Sequence, residues 1–537
     1  MPKRPRFSVV WCRSMREQPH EGKEETMTVL KTIAAAAVIA ACAVGAAAAD
    51  TALAPVRIDS GLVAGTTRDG INRYFGIPYA APPVGTLRWQ APQPVKPWTD
   101  VRQANAFGPV CRQTVDWIKE PQSEDCLSLN VWAPAKPGKY PVMVWIHGGG
   151  FRGGSGSQMG PDAGNGIVAH DVILVSINYR LGLLGFFAHP ELSAQSPDKG
   201  SGNQGILDQI AALKWVQKNI PAFGGDPNNV TIFGESAGGS AVALLTMSPK
   251  AKGLFHRAIA ESGTADGLEP KDVAEKRGAD FAKAQGAKSL AALRNKDVET
   301  LIRQPWQNFA NNDGTALPAD MAAVYQSGTY NRVPMMTGWN AEEGVDLATE
   351  MLGSKTITTA VYNAAVERFV GPKLAPQIRQ IYPGNSDAEA KVSAERLVTD
   401  IMGFSAFRWS GLHAARNTEP VYSYFFVHWP AEPVTPCGYG CKAGHGAEIK
   451  FAFDQLALDP RPWTADDKAI AARMVGYWTN FAKTGNPNGD GPNGDGLPVW
   501  KPFDGTPATV EVLGTESEIK ARGNFPDFRA YLALVAQ

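Results

Sequence analysis

The chain has 537 residues, 44% hydrophobic and 19% charged, enough to bury a large core and ordinary for a soluble globular protein. Lysine plus arginine matches aspartate plus glutamate at 52 each, so there is no basic field to draw nucleic acid and no acidic tail.

The N-terminus reads as targeting rather than fold. Residues 1–26 are polar and charged; Met27 then opens a stretch with Lys31, an apolar run over 32–44 and small residues at 46–49 before Asp50. A basic residue, a short apolar core and an Ala-x-Ala pattern describe a secretory signal over 27–49, cleaved after Ala49. The run is too short for a membrane span, so no transmembrane segment is expected. On this reading residues 1–26 are a mis-assigned extension, Met27 is the start, and an exported protein, periplasmic or secreted, begins at Asp50. Ile39-Ala40-Ala41-Cys42 resembles a bacterial lipoprotein box, which makes Cys42 a candidate lipid anchor.

Beyond the cleavage point four cysteines remain, Cys111, Cys126, Cys437 and Cys441. An even set in an exported chain suggests disulfides, by proximity Cys111–Cys126 and Cys437–Cys441. Metal binding at 437–441 lacks a second cysteine pair at suitable spacing, so no metal is assigned.

Residues 142–146 and 172–177 read as buried strands, and residues 206–220 as a helix stopped by Pro221. Residues 230–233 read as a strand and 237–247 as a helix, with further strands at 257–260, 334–337 and 421–426. Strands alternating with helices argue for a parallel sheet covered on both faces. Residues 264–330 and 355–415 look mainly helical and suit a cap over the sheet edge. Residues 485–496, rich in Gly, Asn, Asp and Pro, lack the EF-hand spacing and read as an exposed turn.

Gly234-Glu235-Ser236-Ala237-Gly238 lies between the strand at 230–233 and the helix at 237–247. A strand-to-helix turn this sharp strains its central residue, and flanking glycines remove side chains that would clash. The turn lifts the Ser236 hydroxyl above the sheet and aims a helix N-terminus at it. A serine hydroxyl is a weak nucleophile that needs a base, an acid to orient the base, and donors for the oxyanion. His147-Gly148-Gly149-Gly150-Phe151 follows the strand at 142–146, and consecutive glycines let backbone N–H groups converge. Gly149, Gly150 and Ala237, the residue after the nucleophile, are the expected donors. No Lys-Ser/Thr follows the glycines, which excludes a P-loop.

These residues resemble the type-B carboxylesterase family. Phe75-Gly76-Ile77-Pro78-Tyr79-Ala80 with Leu87-Arg88-Trp89, and Glu124-Asp125-Cys126-Leu127 with Leu129-Asn130, are similar to its N-terminal signatures. Asn178-Tyr179-Arg180 and Gly202-Asn203-Gln204-Gly205 continue the match, which runs from about Val56 to the C-terminus. The resemblance implies an α/β-hydrolase fold: a central, mostly parallel sheet flanked by helices, with helical cap insertions, in a single domain over 50–537. It also implies that Cys126 pairs with Cys111 and that Arg88 and Glu124 form a structural salt bridge.

Glu343, in Gly338-Trp339-Asn340-Ala341-Glu342-Glu343-Gly344, is similar to the family's acid; Glu342 and Asp346 are its rivals. The base must follow the acid in the order Ser, acid, His, which leaves His413, His428 and His445. His413 lies in a helical pattern and His428 ends a strand. His445-Gly446-Ala447-Glu448 resembles the family's His-Gly-x-Glu segment and makes His445 the expected base. Glu235 would add negative potential near the pocket or brace the turn, and Ser262 is similar to a family serine that hydrogen-bonds the acid. The Cys437–Cys441 pair before His445 departs from the family pattern.

The expected activity is hydrolysis of a small-molecule carboxylic ester through an acyl-enzyme, with no cofactor and no nucleic acid. The same groups could serve an amidase or an acyltransferase. A non-catalytic, esterase-like binding protein would lack the nucleophile, whereas Ser236, Glu343 and His445 are all present.

Overall fold

Tyr140–Ile146 shows why a sheet forms. Val142, Val144 and Ile146 enter one apolar core, and Met143 and Trp145 enter another. Side chains alternate across a strand, so this strand is covered on both faces, as its unbroken apolar run requires.

The computed structural model describes residues 49–265, 267–307, 310–431, 442–489 and 496–522. The signal segment before Ala49, the candidate anchor Cys42, and Cys437 and Cys441 lie outside the described residues. From Asp50 the chain forms one compact unit.

Among the described residues eleven strands make the main sheet. They are β1 (Thr51–Ala52), β2 (Thr66–Arg68), β3 (Ile71–Pro78), β4 (Ser128–Pro134), β5 (Tyr140–Ile146) and β6 (Ile173–Ile177). Then come β7 (Gly225–Glu235), β8 (Arg257–Glu261), β9 (Met335–Asn340), β10 (Val421–Phe426) and β11 (Val510–Leu513). Their order is β1-β2-β3-β4-β6-β5-β7-β8-β9-β10-β11. From β6 to β11 all neighbours are parallel; from β1 to β6 they are antiparallel. The parallel part contains every strand expected from the sequence. The antiparallel edge was not expected: β1 and β2 are only two and three residues long and not buried, and in the longer, mostly buried β3 and β4 the apolar run is broken by Asn72, Arg73 and Gly76 and by Asn130.

Helices cover both faces: α1 (Gln204–Asn219), α2 (Ala237–Met247), α3 (Glu343–Leu352), α4 (Thr359–Ile381), α5 (Asp387–Ala414) and α6 (Ala465–Thr484). Met474, Val475, Trp478 and Phe481 of α6 pack under Trp145 and Phe233, while α1 and α2 fill the opposite face. The helical character expected over 355–415 is present as α4 and α5, with a break at Gly371 (φ 78°) before Pro372, where a helical backbone is sterically disfavoured. Gly344 of α3 lets α5 approach closely, since a Cβ there would lie 1.9 Å from the Glu395 carbonyl oxygen.

Two scaffold pairs brace the N-terminal part. Cys111 and Cys126 form a disulfide closing a loop of 15 residues. Arg88 donates from Nε and Nη2 to the two carboxylate oxygens of Glu124 at 2.7 and 2.6 Å, and from Nη1 to the carbonyls of Arg294 and Lys296. A guanidinium fork fits a carboxylate in this bidentate way.

Candidate active site

Ser236 sits between the last residue of β7 and the first of α2, with φ 57° and ψ −123°. That is a strained backbone for a non-glycine residue. Two bonds hold it: Ser236 N donates to Glu261 O at 2.8 Å, and Ser240 N donates to Ser236 O at 2.8 Å. The turn is tight because Gly238 has no side chain; a Cβ there would lie 2.0 Å from the Ile146 carbonyl oxygen.

The Ser236 hydroxyl is 2.7 Å from His445 Nε2, and His445 Nδ1 is 2.5 Å from Glu343 Oε2. The other oxygen of Glu343 accepts from Ser262 Oγ at 2.6 Å and from Asn340 N at 2.7 Å. Both His445 and Glu343 are buried. Glu343 reaches this point because β9 ends at Asn340 and α3 starts at Glu343, which turns the carboxylate back over the sheet.

The rival residues do other work. Glu342 N donates to Ala443 O at 2.9 Å, and Ala443 N donates to Glu342 Oε2 at 3.2 Å, so Glu342 holds the segment that carries His445. His413 meets the Tyr325 hydroxyl and the Val333 carbonyl, and burial lowers its pKa to about 4. His428 lies between Asp467 and Glu518, at 2.9 Å from each.

The glycine loop packs directly on the serine turn. A Cβ at Gly148 would lie 2.7 Å from Glu235 O and 3.1 Å from Ser236 Cβ. Gly149 (φ 102°) and Gly150 (φ 62°) take left-handed backbones, and Arg152 N and Gly153 N both donate to Gly149 O at 3.0 Å. The N–H groups of Gly149 and Gly150 make no hydrogen bond among the described residues. Ala237 N–H is the first of α2, and such a group has no partner within its own helix. His147 anchors the loop: its ring stacks on Tyr179 at 4.4 Å, and the Tyr179 hydroxyl donates to His147 O at 2.8 Å. Burial lowers the His147 pKa to about 4, so this ring is neutral at working pH. Trp117, half exposed, stands at the outer end of the loop, where a Cβ on Gly153 would come within 3.0 Å of its ring.

Charge at this site is unusual. Glu235, Glu261, Glu343 and Glu448 are all buried. Glu235 Oε1 is 3.3 Å from His445 Nε2. Burial resists a charge on His445, but ionised Glu235 and Glu343 outweigh it and raise its pKa. Burial raises Glu235, Glu261 and Glu448 as well. Asn340, not singled out from the sequence, ties the cluster together: its side-chain amide donates to Gly444 O at 2.8 Å and to Glu448 Oε2. Its only sequence signal is its place in the run ending at Gly344.

Among the described residues no helix is long and apolar enough to cross a membrane, and no group of three or more His, Cys, Asp and Glu could hold a metal ion.

Comparison with known proteins points one way. The sequence model of the carboxylesterase family matches residues 53–528. The fumonisin B1 esterase of Sphingopyxis macrogoltabida is 36% identical over 80% of this chain and 82% of its own. The para-nitrobenzyl esterase of Bacillus subtilis (strain 168) is 36% identical over 86% of this chain and 94% of its own. A solved structure of a thermophilic PNB esterase superposes with a TM-score of 0.73 at 34% identity, covering 87% of this chain and 99% of that one. An α/β-hydrolase sheet carrying this strand-to-helix serine, matched along nearly its whole length to such relatives, belongs to the carboxylesterase family: the protein is a carboxylic ester hydrolase.

Proposed function

We propose that the protein hydrolyses small carboxylic esters through a covalent acyl-enzyme on Ser236. Ser236 Oγ attacks the ester carbonyl carbon while His445 Nε2 takes the hydroxyl proton. Glu343 stabilises the imidazolium through Nδ1 and fixes the tautomer whose Nε2 is free to accept. The N–H groups of Gly149, Gly150 and Ala237 hold the oxyanion. Collapse of the tetrahedral intermediate breaks the carbon–oxygen bond to the alcohol, which leaves with the proton from His445. Water then attacks the acyl carbon, His445 takes its proton, and collapse returns that proton to Ser236 Oγ as the acid departs.

The observation that carries this reading is the continuous hydrogen-bonded chain Ser236–His445–Glu343, placed at a strained turn beside unpaired N–H groups. The test is a fluorophosphonate probe with peptide mapping, run beside hydrolysis of para-nitrophenyl esters. One adduct per chain on Ser236 and parallel loss of turnover are expected. Turnover that survives full labelling contradicts the reading. Matched ester and amide substrates, with alcohol acceptors added, separate a hydrolase from an amidase or acyltransferase.

We further propose export to the periplasm or medium, with the mature chain starting at Asp50. The signal pattern at 27–49 and the Cys111–Cys126 disulfide, a bond that persists in oxidising compartments, support this. Substrates worth testing first are those the relatives' names supply, fumonisin B1 and para-nitrobenzyl esters.

A further inference from the structure

A second segment lies against the glycine loop. Gln113, Val115 and Trp117, alternate residues of the Cys111–Cys126 loop, all meet Gly153 or Gly154. A Cβ on Gly153 would lie 2.8 Å from Val115 Cγ1 and 3.0 Å from the Trp117 ring. A Cβ on Gly154 would lie 2.4 Å from His147 Nδ1 and 2.6 Å from Gly148 O, and one on Gly149 would lie 2.3 Å from Gly153 O. The loop is therefore stacked backbone on backbone. Residues 153 and 154 support residues 147–149 directly, with no side chain between them.

Gln113 clasps this stack. Its Oε1 accepts from Gly154 N at 2.8 Å, and its Nε2 donates to Gly154 O at 3.0 Å and to Cys111 O at 2.9 Å. The amide meets both polar groups of one residue, as a neighbouring strand would. A flipped amide would set Nε2 against the Gly154 N–H and Oε1 against two carbonyls, so one orientation is allowed. Gln113 is buried and is itself held: its backbone N donates to Gln122 Oε1 at 3.0 Å, and residues 110–111 pair with 122–123 beside the disulfide. On either side of Gly153 and Gly154, Phe151 O accepts from Gly182 N at 2.7 Å and Gly156 N donates to Asn178 Oδ1 at 2.8 Å. Between those anchors, among the described residues, the side-chain hydrogen bonds to the loop backbone both come from Gln113.

We propose that Gln113 is a positioning residue for the oxyanion hole: by holding both backbone groups of Gly154 it fixes the support against which Gly149 and Gly150 present their N–H groups. The proposal rests on the acyl-enzyme reading above. Buried backbone polar groups need partners. Without the Gln113 amide, Gly154 N and O must turn toward water or a new partner, and Gly154 then shifts against the His147 and Gly148 atoms it touches. Donors displaced by about 1 Å lose much of their hold on the transition state, whereas binding of the ground-state ester depends on them less.

The test is Gln113→Met, which fills similar space without donor or acceptor, beside Val115→Ala, which removes packing from the same glycines but no hydrogen bond. Fluorophosphonate titration of Ser236 counts active sites, so that kcat refers to folded molecules alone. Gln113→Met is expected to lower kcat per site about 30-fold on para-nitrophenyl acetate, with KM within about twofold of wild type. It should weaken a trifluoromethyl ketone, to which Ser236 Oγ adds to give a hemiketal oxyanion, by about the same factor. Val115→Ala should keep kcat per site within about twofold, whatever its lost packing does to the urea midpoint. Gln113→Asn, too short to span both groups of Gly154, should show the same split between kcat and KM, and it carries the test if the methionine chain does not fold. A kcat per site within about twofold of wild type in the Gln113 variants, or an equal loss in Val115→Ala, overturns the proposal and leaves Gln113 as a brace of the fold. A wild-type chain that resists labelling is a failure of the acyl-enzyme reading instead.

Discussion

Changing Glu343 to Gln should cost far more than its small change in shape suggests, and the hydrogen bonds say why. One oxygen of Glu343 faces two donors, Ser262 Oγ at 2.6 Å and Asn340 N at 2.7 Å; the other faces His445 Nδ1 at 2.5 Å. The Asn340 backbone N–H cannot turn round. A glutamine at 343 must therefore point its carbonyl at Asn340 and its NH2 at His445. Nδ1 would then have to accept, which places the ring proton on Nε2, facing Ser236. In that tautomer His445 cannot take the serine proton. The ring is buried and held at both nitrogens, so it cannot escape by flipping. A wrong tautomer combined with loss of the counter-ion costs roughly 10⁴-fold in kcat, about 5.5 kcal/mol of transition-state stabilisation. Steady-state kcat on a para-nitrophenyl ester at pH 8 measures this, with circular dichroism confirming an unchanged fold. A Glu343→Gln enzyme retaining more than about a tenth of wild-type kcat would refute the reasoning, because so small a loss cannot come from a reversed tautomer.

Other outcomes follow from the same geometry. Gly148→Ala places a Cβ 2.7 Å from Glu235 O and 3.1 Å from Ser236 Cβ, so the loop must move and carry the N–H groups of Gly149 and Gly150 with it. A displacement near 1 Å is expected to lower kcat about 100-fold with little change in KM, and an unchanged kcat contradicts the placement of the donors. Reducing Cys111–Cys126, which closes 15 residues, should cost about 3 kcal/mol, read as a fall in the urea midpoint with reductant; an unchanged midpoint contradicts a stabilising role. Burial lowers His413 from its ordinary 6.5 to about 4 in the folded chain. Unfolded chains therefore bind the proton first, and the contribution is complete above pH 6.5 and lost as pH falls toward 4. The loss is on the order of 3 kcal/mol, seen as a urea midpoint that drops across that window less steeply in His413→Gln.

How much of this was legible in the sequence depends on the kind of signal. Most strands of the parallel part are buried on both faces, and apolar runs such as 142–146 and 421–426, the second broken only by Ser423, expose them directly. The helix after Ser236 was legible to the residue, because the glycines at 234 and 238 bracket the turn. The antiparallel edge was not: the two- and three-residue β1 and β2 carry no period to read, and Arg73 and Asn130 interrupt the apolar residues of the longer β3 and β4. Within the site, Ser236, Glu343, His445 and Ser262 stand in motifs, and the structure brings all four together. Asn340 and the Glu261–Trp478 contact were invisible for a different reason. Asn340 acts through both its backbone and its amide, and Glu261 meets Trp478 across 217 residues; only strand register and the packing of α6 create those contacts.

The central claim is a covalent acyl-enzyme on Ser236, and pre-steady-state kinetics with intact-mass analysis test it most directly. Mixed with para-nitrophenyl acetate and quenched in acid within the first turnover, the wild-type chain should release about one equivalent of nitrophenol in a burst and gain one acetyl group on the peptide carrying Ser236. The Ser236→Ala chain should show neither. Acetyl transfer to another residue, or full turnover with no adduct on Ser236 at any quench time, would contradict the account.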